Sequence, residues 1–197
     1  MNSGYSIKDN VIIIDRELTE LDLFVRKFLN ILTRYSDYLI VSGFVSISTG
    51  RSRSTEDIDI IAPIMNKEKF KKLFGNLVKN NFWCYNSDDY EEAYEYFKNV
   101  NSIRFAEKGE LFPNIEFVPF DSKKRAKNFE FNNPQIIKIK DFEFKIPPIE
   151  FEILYKELIL KSKKDIEDAR HLRVFFSDFI KKEKFIKYKP IILSDLK

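Results

Sequence analysis

Two aspartates separated by one isoleucine, Asp57 and Asp59, are the residues whose types and spacing point most directly to chemistry. They begin the run DIDIIAP, whose apolar content predicts a strand that is at least partly buried. Because side chains alternate along a strand, both carboxylates face the same side. Two like charges there repel unless a cation joins them, and Mg²⁺ or Mn²⁺ is the simplest cation for hard oxygen ligands. An edge strand that alternates acids and isoleucines for solubility alone has the same pattern, so the pair leaves both interpretations open.

A small-residue turn, Ser42-Gly43, lies upstream of the acids, between a strand predicted at residues 38–41 and a short helical segment. Small residues let backbone N–H groups approach a phosphate, and the start of a helix adds its dipole. The basic loop that follows contains Arg53, which either contacts phosphate or fixes the loop through a salt bridge. The stretch 38–63 therefore predicts a phosphate cradle followed by metal-binding carboxylates.

Glu116 is the candidate third acid. It lies in the run NIEFVPF, where Ile115 and Phe117 flank it as isoleucines flank the aspartates. Three carboxylates that converge from neighbouring strands would hold two metal ions, one activating an attacking hydroxyl and one clamping a triphosphate. A solvated face of a strand is the competing interpretation for Glu116 alone.

The elements that must position these residues alternate between strands and helices. Periodicity predicts strands at 38–41, 57–63, 82–85, 101–106 and 114–120, a strand pair across 135–146, helices at 15–34 and 66–79, and two helices after Pro147-Pro148. Residues 87–100 are either a helix or an inserted loop, residues 122–127 form a basic run, and the last stretch, 181–197, is basic and poorly periodic. This order predicts an α+β (mixed α/β) fold, with a mixed sheet flanked by helices. We expect a core at 1–146 and a C-terminal helical element at 147–197 packed on it.

Composition excludes several other classes of protein. The net charge of +3 over 197 residues is too small to indicate nucleic-acid binding by itself. The single cysteine, Cys84, excludes an intramolecular disulfide, and the single histidine, His171, makes a histidine zinc site or a Ser-His-Asp triad hard to build. Any catalysis would therefore rest on carboxylates and cations. No apolar run approaches the roughly 20 residues of a membrane span, and the start has no signal-peptide profile, so a cytoplasmic protein without a membrane partner is expected.

Combined spacing adds a family resemblance. Ser42-Gly43, thirteen intervening residues, Asp57-Ile58-Asp59 and a later strand with Glu116 resemble the nucleotidyltransferase fold of the DNA polymerase beta-like superfamily. That superfamily usually has glycine where Ser42 stands, and its third acid is more often aspartate.

Two further motifs resemble a narrower group, the abortive-infection type nucleotidyltransferases and the small aminoglycoside and lincosamide nucleotidyltransferases. The first is the pattern Gly50-x-x-Arg53-x-Thr55 that leads into the acidic pair. The second is Lys156 followed by the run KKDIED at 163–168, which resembles a helical element of that group. The similarity spans roughly residues 38–172.

The resemblance implies Mg²⁺-dependent (or Mn²⁺-dependent) transfer of a nucleoside monophosphate from an NTP to a hydroxyl of RNA, protein or a small molecule, with release of pyrophosphate. It implies that the catalytic and metal-binding residues are Asp57, Asp59 and Glu116, and that the nucleotide-binding residues are Ser42, Gly43, Arg53, Lys156, Asp165 and Asp168. The alternative is a non-catalytic or weakly active nucleotide-binding component of a toxin–antitoxin pair, with a partner protein. A third interpretation is a two-metal nuclease or phosphohydrolase, because three acids alone do not distinguish transfer from hydrolysis.

Overall fold

The computed structural model describes residues 4–9, 11–120 and 124–194. The strands are β1 (Tyr5–Lys8), β2 (Val11–Ile14), β3 (Leu39–Ile40), β4 (Asp57–Pro63), β5 (Phe82–Cys84), β6 (Ile103–Glu107), β7 (Asn114–Phe120), β8 (Gln135–Ile139) and β9 (Phe142–Ile146). The helices are α1 (Glu20–Leu32), α2 (Gly43–Ser48), α3 (Lys67–Lys79), α4 (Tyr90–Lys98), α5 (Arg125–Asn132), α6 (Ile149–Tyr155), α7 (Lys163–Phe175) and α8 (Lys182–Leu193). A π-helical segment, Lys156–Leu160, follows α6 directly.

The described residues form two compact units. The first unit comprises residues 4–9, 11–18, Leu39–Arg53 and 124–194, and the second comprises Thr19–Tyr38 and 54–120. The domain boundary expected between residues 146 and 147 lies inside the first unit. The division into a core at 1–146 and a C-terminal helical element at 147–197 therefore stays a prediction.

The first unit contains a four-stranded mixed sheet in the order β1-β2-β8-β9. The β2–β8 pair is parallel, and the β1–β2 and β8–β9 pairs are antiparallel. Phe44 of α2 packs edge-on against Phe144 of β9, with 5.4 Å between ring centroids. A second group of buried side chains joins α5, α6 and α8 around Phe151, Tyr188 and Ile192.

The second unit contains a mixed sheet in which β4, β7, β6 and β5 are hydrogen-bonded neighbours. The β4–β7 pair is parallel, and the β7–β6 and β6–β5 pairs are antiparallel. Buried Phe28 of α1 contacts Phe105 of β6 and Phe117 of β7, and Phe97 of α4 stacks on Phe117. These helices therefore cover the sheet face that Phe105 and Phe117 occupy, and residues at alternate positions face the opposite side.

The predicted α+β fold class is confirmed. Most predicted elements are present and differ only at their ends, whereas β1, α5 and α8 were not predicted. Helix α1 begins at Glu20 instead of residue 15, because Thr19 and Asp22 form a capping box that fixes its first turn. The undecided stretch 87–100 contains α4, whose N-cap Asp89 accepts hydrogen bonds from the N–H groups of Glu91 and Glu92. In the part of the chain that the structure describes, no helix combines the length and apolarity that crossing a bilayer requires.

Candidate active site

The carboxylates of β4 and β7 lie on one face of the second unit's sheet. Asp57 pairs with Asn114 and Asp59 with Glu116 in the parallel register. Residues that are partners across two strands point to the same side, so Asp57, Asp59 and Glu116 share the face opposite Phe117. Both aspartates are half-buried, and the Ile58 and Ile60 side chains between and beside them are fully buried on the other face. We call the side that holds these three acids the carboxylate face.

Two side chains of β6 and its preceding loop hold Glu116 in place. Ser102 donates from its hydroxyl to Glu116 Oε1 at 2.7 Å, and Arg104 donates from Nη2 to Glu116 Oε2 at 3.0 Å. Arg104 is the register partner of Glu116, which places its guanidinium on the carboxylate face. The hydrogen bond to Glu116 raises the pKa of Arg104, and the charges of Asp57 and Asp59 contribute to the same rise. Arg104 is therefore a cation within the electrostatic field of all three acids.

The donor set on this face fits a hard divalent cation at the aspartate pair. Asp57 and Asp59 offer carboxylate oxygens from one side of one strand, the chemistry that Mg²⁺ and Mn²⁺ prefer. Glu116 has one oxygen bonded to Ser102 and the other to Arg104. Among the described residues, no group of three or more His, Cys, Asp or Glu side chains is arranged to hold a metal ion. The predicted three-acid metal site therefore stays a prediction.

The Ser42-Gly43 turn in the first unit has an unusual backbone. Ser42 adopts φ 65° and ψ −130°, a conformation that glycine adopts far more readily than residues with a side chain. Its N–H donates to Glu152 Oε1 at 3.0 Å. A Cβ at the neighbouring Gly43 would overlap Nη2 of Arg53, so a side chain there would require the guanidinium to shift. The turn thus brings a backbone N–H, a carboxylate and a guanidinium together.

Lys156 is the centre of a buried ionic network in the first unit. Its side chain is 0% exposed, and Nζ lies 3.2 Å from Glu152 Oε1, 3.1 Å from Asp168 Oδ2 and 3.9 Å from Asp165 Oδ1. Asp168 is also contacted by two arginines, Arg51 through Nη1 and Arg53 through Nε at 3.6 Å. Burying this many charges is tolerable only because each carboxylate has a cation beside it.

Local features of the two helical segments that carry this network bring its charged residues together. Lys156 begins the π-helical segment, a distortion that is frequent at functional sites. Lys161 caps the end of the segment, and its φ of 58° turns the chain towards α7. Asp165 lies at the third position of α7 and closes a capping box with Ser162, so it both caps the helix and faces Lys156.

The structure brings the predicted site residues together in two sets. Ser42, Gly43, Arg53, Lys156, Asp165 and Asp168 cluster in the first unit, and Asp57, Asp59 and Glu116 share the carboxylate face of the second unit. Their assignment to catalysis, metal or nucleotide stays a prediction. Four residues were missing from the predicted sets: Glu152 and Arg51 in the first, and Ser102 and Arg104 in the second. The sequence spacing could have identified Glu152, because it lies four residues before Lys156 and therefore on the same face of a helix.

Two solved structures resemble the fold. The crystal structure of the lincosamide antibiotic adenylyltransferase LnuA, bound to lincomycin, is 13% identical, with 80% of this chain and 98% of LnuA covered and a TM-score of 0.53. An antigenic nucleotidyltransferase-like protein from Paracoccidioides brasiliensis is 15% identical, with 91% of this chain and 90% of its own covered and a TM-score of 0.50. No protein-family model and no curated protein sequence matches the chain. The chain has the nucleotidyltransferase fold, as its motifs predicted; at these identities the likeness concerns the fold alone.

Proposed function

We propose that this protein transfers a nucleoside monophosphate from an NTP to a hydroxyl group and releases pyrophosphate. The observation that carries the proposal is the carboxylate face, where Asp57, Asp59 and Glu116 occupy one side of two paired strands. Carboxylates in this arrangement can bind metal cations that neutralise the negative charge of a triphosphate. The nucleotidyltransferase fold of the chain and the adenylyltransferase among its structural neighbours support the same reaction class.

The second unit supplies the reacting carboxylates. The acceptor oxygen forms a bond to the α-phosphorus of the NTP, the bond from that phosphorus to the β-phosphate oxygen breaks, and pyrophosphate leaves with the electron pair. Mg²⁺ or Mn²⁺ bound at Asp57 and Asp59 would supply the charge that stabilises the triphosphate and the leaving pyrophosphate. Glu116 accepts the proton of the acceptor hydroxyl, and Ser102 and Arg104 hold its two oxygens in position.

The first unit supplies positive charge and a shaped backbone for phosphate. Arg53 is the residue we assign to phosphate contact, since its guanidinium lies against the Gly43 backbone. Lys156 is fully buried among Glu152, Asp165 and Asp168, so we assign it the role of a positioning residue that fixes the acids behind the turn. Glu152 in turn holds the N–H of Ser42.

A second candidate function is nucleotide binding without turnover, as in a component of a toxin–antitoxin pair. It is favoured by the engagement of Glu116 with Arg104 and by the engagement of the Ser42 N–H with Glu152. If Glu116 keeps its bond to Arg104 when nucleotide is bound, its carboxylate does not take the acceptor proton, and if Ser42 keeps its bond to Glu152, its N–H does not reach phosphate.

The test is incubation of the protein with α-³²P-labelled NTPs and Mg²⁺, together with pools of small hydroxyl compounds, RNA and protein. We expect label transfer that depends on divalent metal and is lost in Asp57→Asn and Asp59→Asn. The matched control is Glu68→Gln, which removes one negative charge from an exposed position of α3 in the same unit.

Transfer that persists equally in both aspartate variants would overturn the proposal. Tight NTP binding by calorimetry, with no label transfer to any pool, would select the binding function instead. Release of nucleoside monophosphate without transfer would indicate a hydrolase.

A further inference from the structure

A cavity of about 240 Å³ lies on the carboxylate face beside Glu116. It is lined by Tyr85, Asn86, Ser102 and Arg104. The N–H of Tyr85 donates to the carbonyl of Arg104 at 2.9 Å, which extends the β5–β6 pairing by one residue and puts both side chains on the same side of the sheet. Two walls of the cavity, Ser102 and Arg104, are the side chains that hydrogen-bond Glu116. A molecule in this cavity would therefore lie next to the proposed base.

One wall of the cavity is a fixed aromatic ring. Tyr85 stacks on Trp83 with 4.5 Å between ring centroids and 18° between planes. Trp83 donates from Nε1 to the carbonyl of Glu110 at 3.1 Å, and Tyr85 donates its hydroxyl to the carbonyl of Leu111. Because both polar groups are used within the chain, Tyr85 offers the cavity the apolar surface of its ring.

The other walls are polar and have defined orientations. The backbone N–H of Arg104 donates to Asn86 Oδ1 at 2.9 Å, which fixes the amide so that its NH₂ group remains a donor for a ligand. Arg104 adds guanidinium donors, and Glu116 beyond it is an acceptor. Hydroxyl groups both donate and accept, so a ligand rich in hydroxyls satisfies both kinds of wall.

Size and charge restrict the class of ligand further. The volume lies below the roughly 300–1,000 Å³ of pockets for drug-sized ligands, which favours a single ring. The segment that follows Asn86 is acidic, with Asp88, Asp89 and Glu91 in sequence. A phosphate-rich polymer such as RNA would be repelled by these charges, whereas a neutral ring would not.

We propose that this cavity is the acceptor subsite, and that it takes a neutral cyclic polyol such as a sugar ring. The ring's apolar side packs on Tyr85, its hydroxyls accept from Asn86 and Arg104, and one hydroxyl reaches Glu116. This inference rests on the nucleotidyl transfer proposed above. It adds to it the chemical class of the acceptor and makes Tyr85 the residue that selects a ring.

The experiment compares Tyr85→Leu, Tyr85→Phe and the control Tyr96→Leu, which removes an exposed tyrosine from α4 of the same unit. Each is assayed for label transfer to a panel of methyl glycosides and to RNA, and for NTP affinity by calorimetry. We expect transfer to at least one glycoside. Tyr85→Leu should raise the acceptor KM at least about tenfold, with NTP affinity unchanged, because it removes the aromatic surface on which the ligand's ring packs. Tyr96→Leu should stay within about twofold of the unaltered chain. Tyr85→Phe keeps the ring but loses the hydroxyl bonded to Leu111, so it should raise the acceptor KM less than Tyr85→Leu does.

Transfer to RNA alone, or equal effects of Tyr85→Leu and Tyr96→Leu, would overturn the acceptor class while leaving nucleotidyl transfer intact. If no acceptor is labelled, saturation-transfer NMR with the same methyl glycosides decides the binding question separately. Glycoside signals that disappear in Tyr85→Leu and persist in Tyr85→Phe support the subsite although the proposed reaction has failed. No signal from any glycoside overturns the subsite.

Discussion

Gly43 illustrates how a single residue in the candidate site is fixed by its neighbour and not by its own backbone. The left-handed conformation of this turn belongs to Ser42, whereas Gly43 is constrained by the Arg53 guanidinium that lies where a Cβ would be. The sequence predicted both residues as a phosphate cradle, but it did not predict that Arg53 packs against the cradle itself.

We expect Gly43→Ala to destabilise the chain by about 1–2 kcal/mol, because the new methyl group must displace Arg53 from its position near Asp168. The measurement is urea unfolding of Gly43→Ala, Arg53→Ala and the double variant. If the displacement is the cause, the cycle should give a coupling energy of roughly 0.5–3 kcal/mol, with little further cost of Gly43→Ala once Arg53 is absent. Additive losses would mean that the alanine is excluded for another reason.

His171 is a single residue that should make the free energy of unfolding depend on pH. Its Nε2 lies 3.0 Å from Thr49 Oγ1, and burial lowers its pKa, with the nearby Arg51 acting in the same direction. Above its ordinary pKa of about 6.5, the imidazole is neutral in both folded and unfolded chains and contributes nothing. As the pH falls through that value, the unfolded chain takes up the proton first, so the free energy of unfolding decreases.

We therefore expect the unaltered chain to lose more stability than His171→Gln between about pH 7.5 and about pH 5.5. Urea unfolding midpoints at the two pH values measure this difference. Identical losses in both chains would exclude His171 as the titrating group.

At the scale of elements, prediction succeeded where the hydrophobic pattern was unambiguous. The runs DIDIIAP and NIEFVPF became β4 and β7 with the predicted bounds, because buried apolar residues flank their acids. Helices α5 and α8 were not predicted, since their apolar residues are interrupted by lysines and asparagines, and α8 contains Pro190. Strand β1 was also missed, because its four residues are mostly exposed and give no alternation.

In the candidate site, too, the sequence predicted best the placements that depend on local geometry. Strand alternation was enough to put Asp57 and Asp59 on one side of β4, because that placement depends only on local geometry. Glu116 shares their face through the β4–β7 register. The partners Ser102 and Arg104 depend on the pairing of β6 with β7, which is set by the whole sheet. Because this register cannot be determined from the sequence, the sequence did not identify Arg104 as the partner of Glu116.

The π-helical segment and α7 form an element whose role can be tested through Lys156. Replacing Lys156 by methionine leaves Glu152 and Asp168 buried beside one cation fewer, which typically costs about 3–5 kcal/mol. We expect that loss in urea unfolding, and no comparable loss for Lys163→Met at an exposed position of α7. Weaker NTP binding with unchanged stability would instead mean that Lys156 meets the triphosphate directly.

In the whole molecule, neither compact unit is formed by one continuous stretch of the chain. The chain passes between the two units four times, and one passage falls between Arg53 and Ser54. The predicted cradle and the predicted acidic pair therefore belong to different units, although only thirteen residues, 44–56, separate them in sequence. Sequence analysis, which follows the chain, assigned both to one core at 1–146.

A ligand that binds only the folded chain stabilises it by mass action, so nucleotide and metal should raise the melting temperature together. At NTP concentrations about a hundredfold above Kd, the gain is about 2.7 kcal/mol, which corresponds to roughly 5–10 °C for a chain of this length. We expect this increase with NTP and Mg²⁺, and a smaller one with NTP and a chelator, because only the former neutralises the charge between the phosphates and Asp57 and Asp59. The double variant Asp57→Asn/Asp59→Asn should show the same increase with and without Mg²⁺, whereas Glu68→Gln should behave like the unaltered chain. An Mg²⁺-dependent increase that survives in the double variant would remove these aspartates from the metal site, since their charges would then contribute nothing to binding.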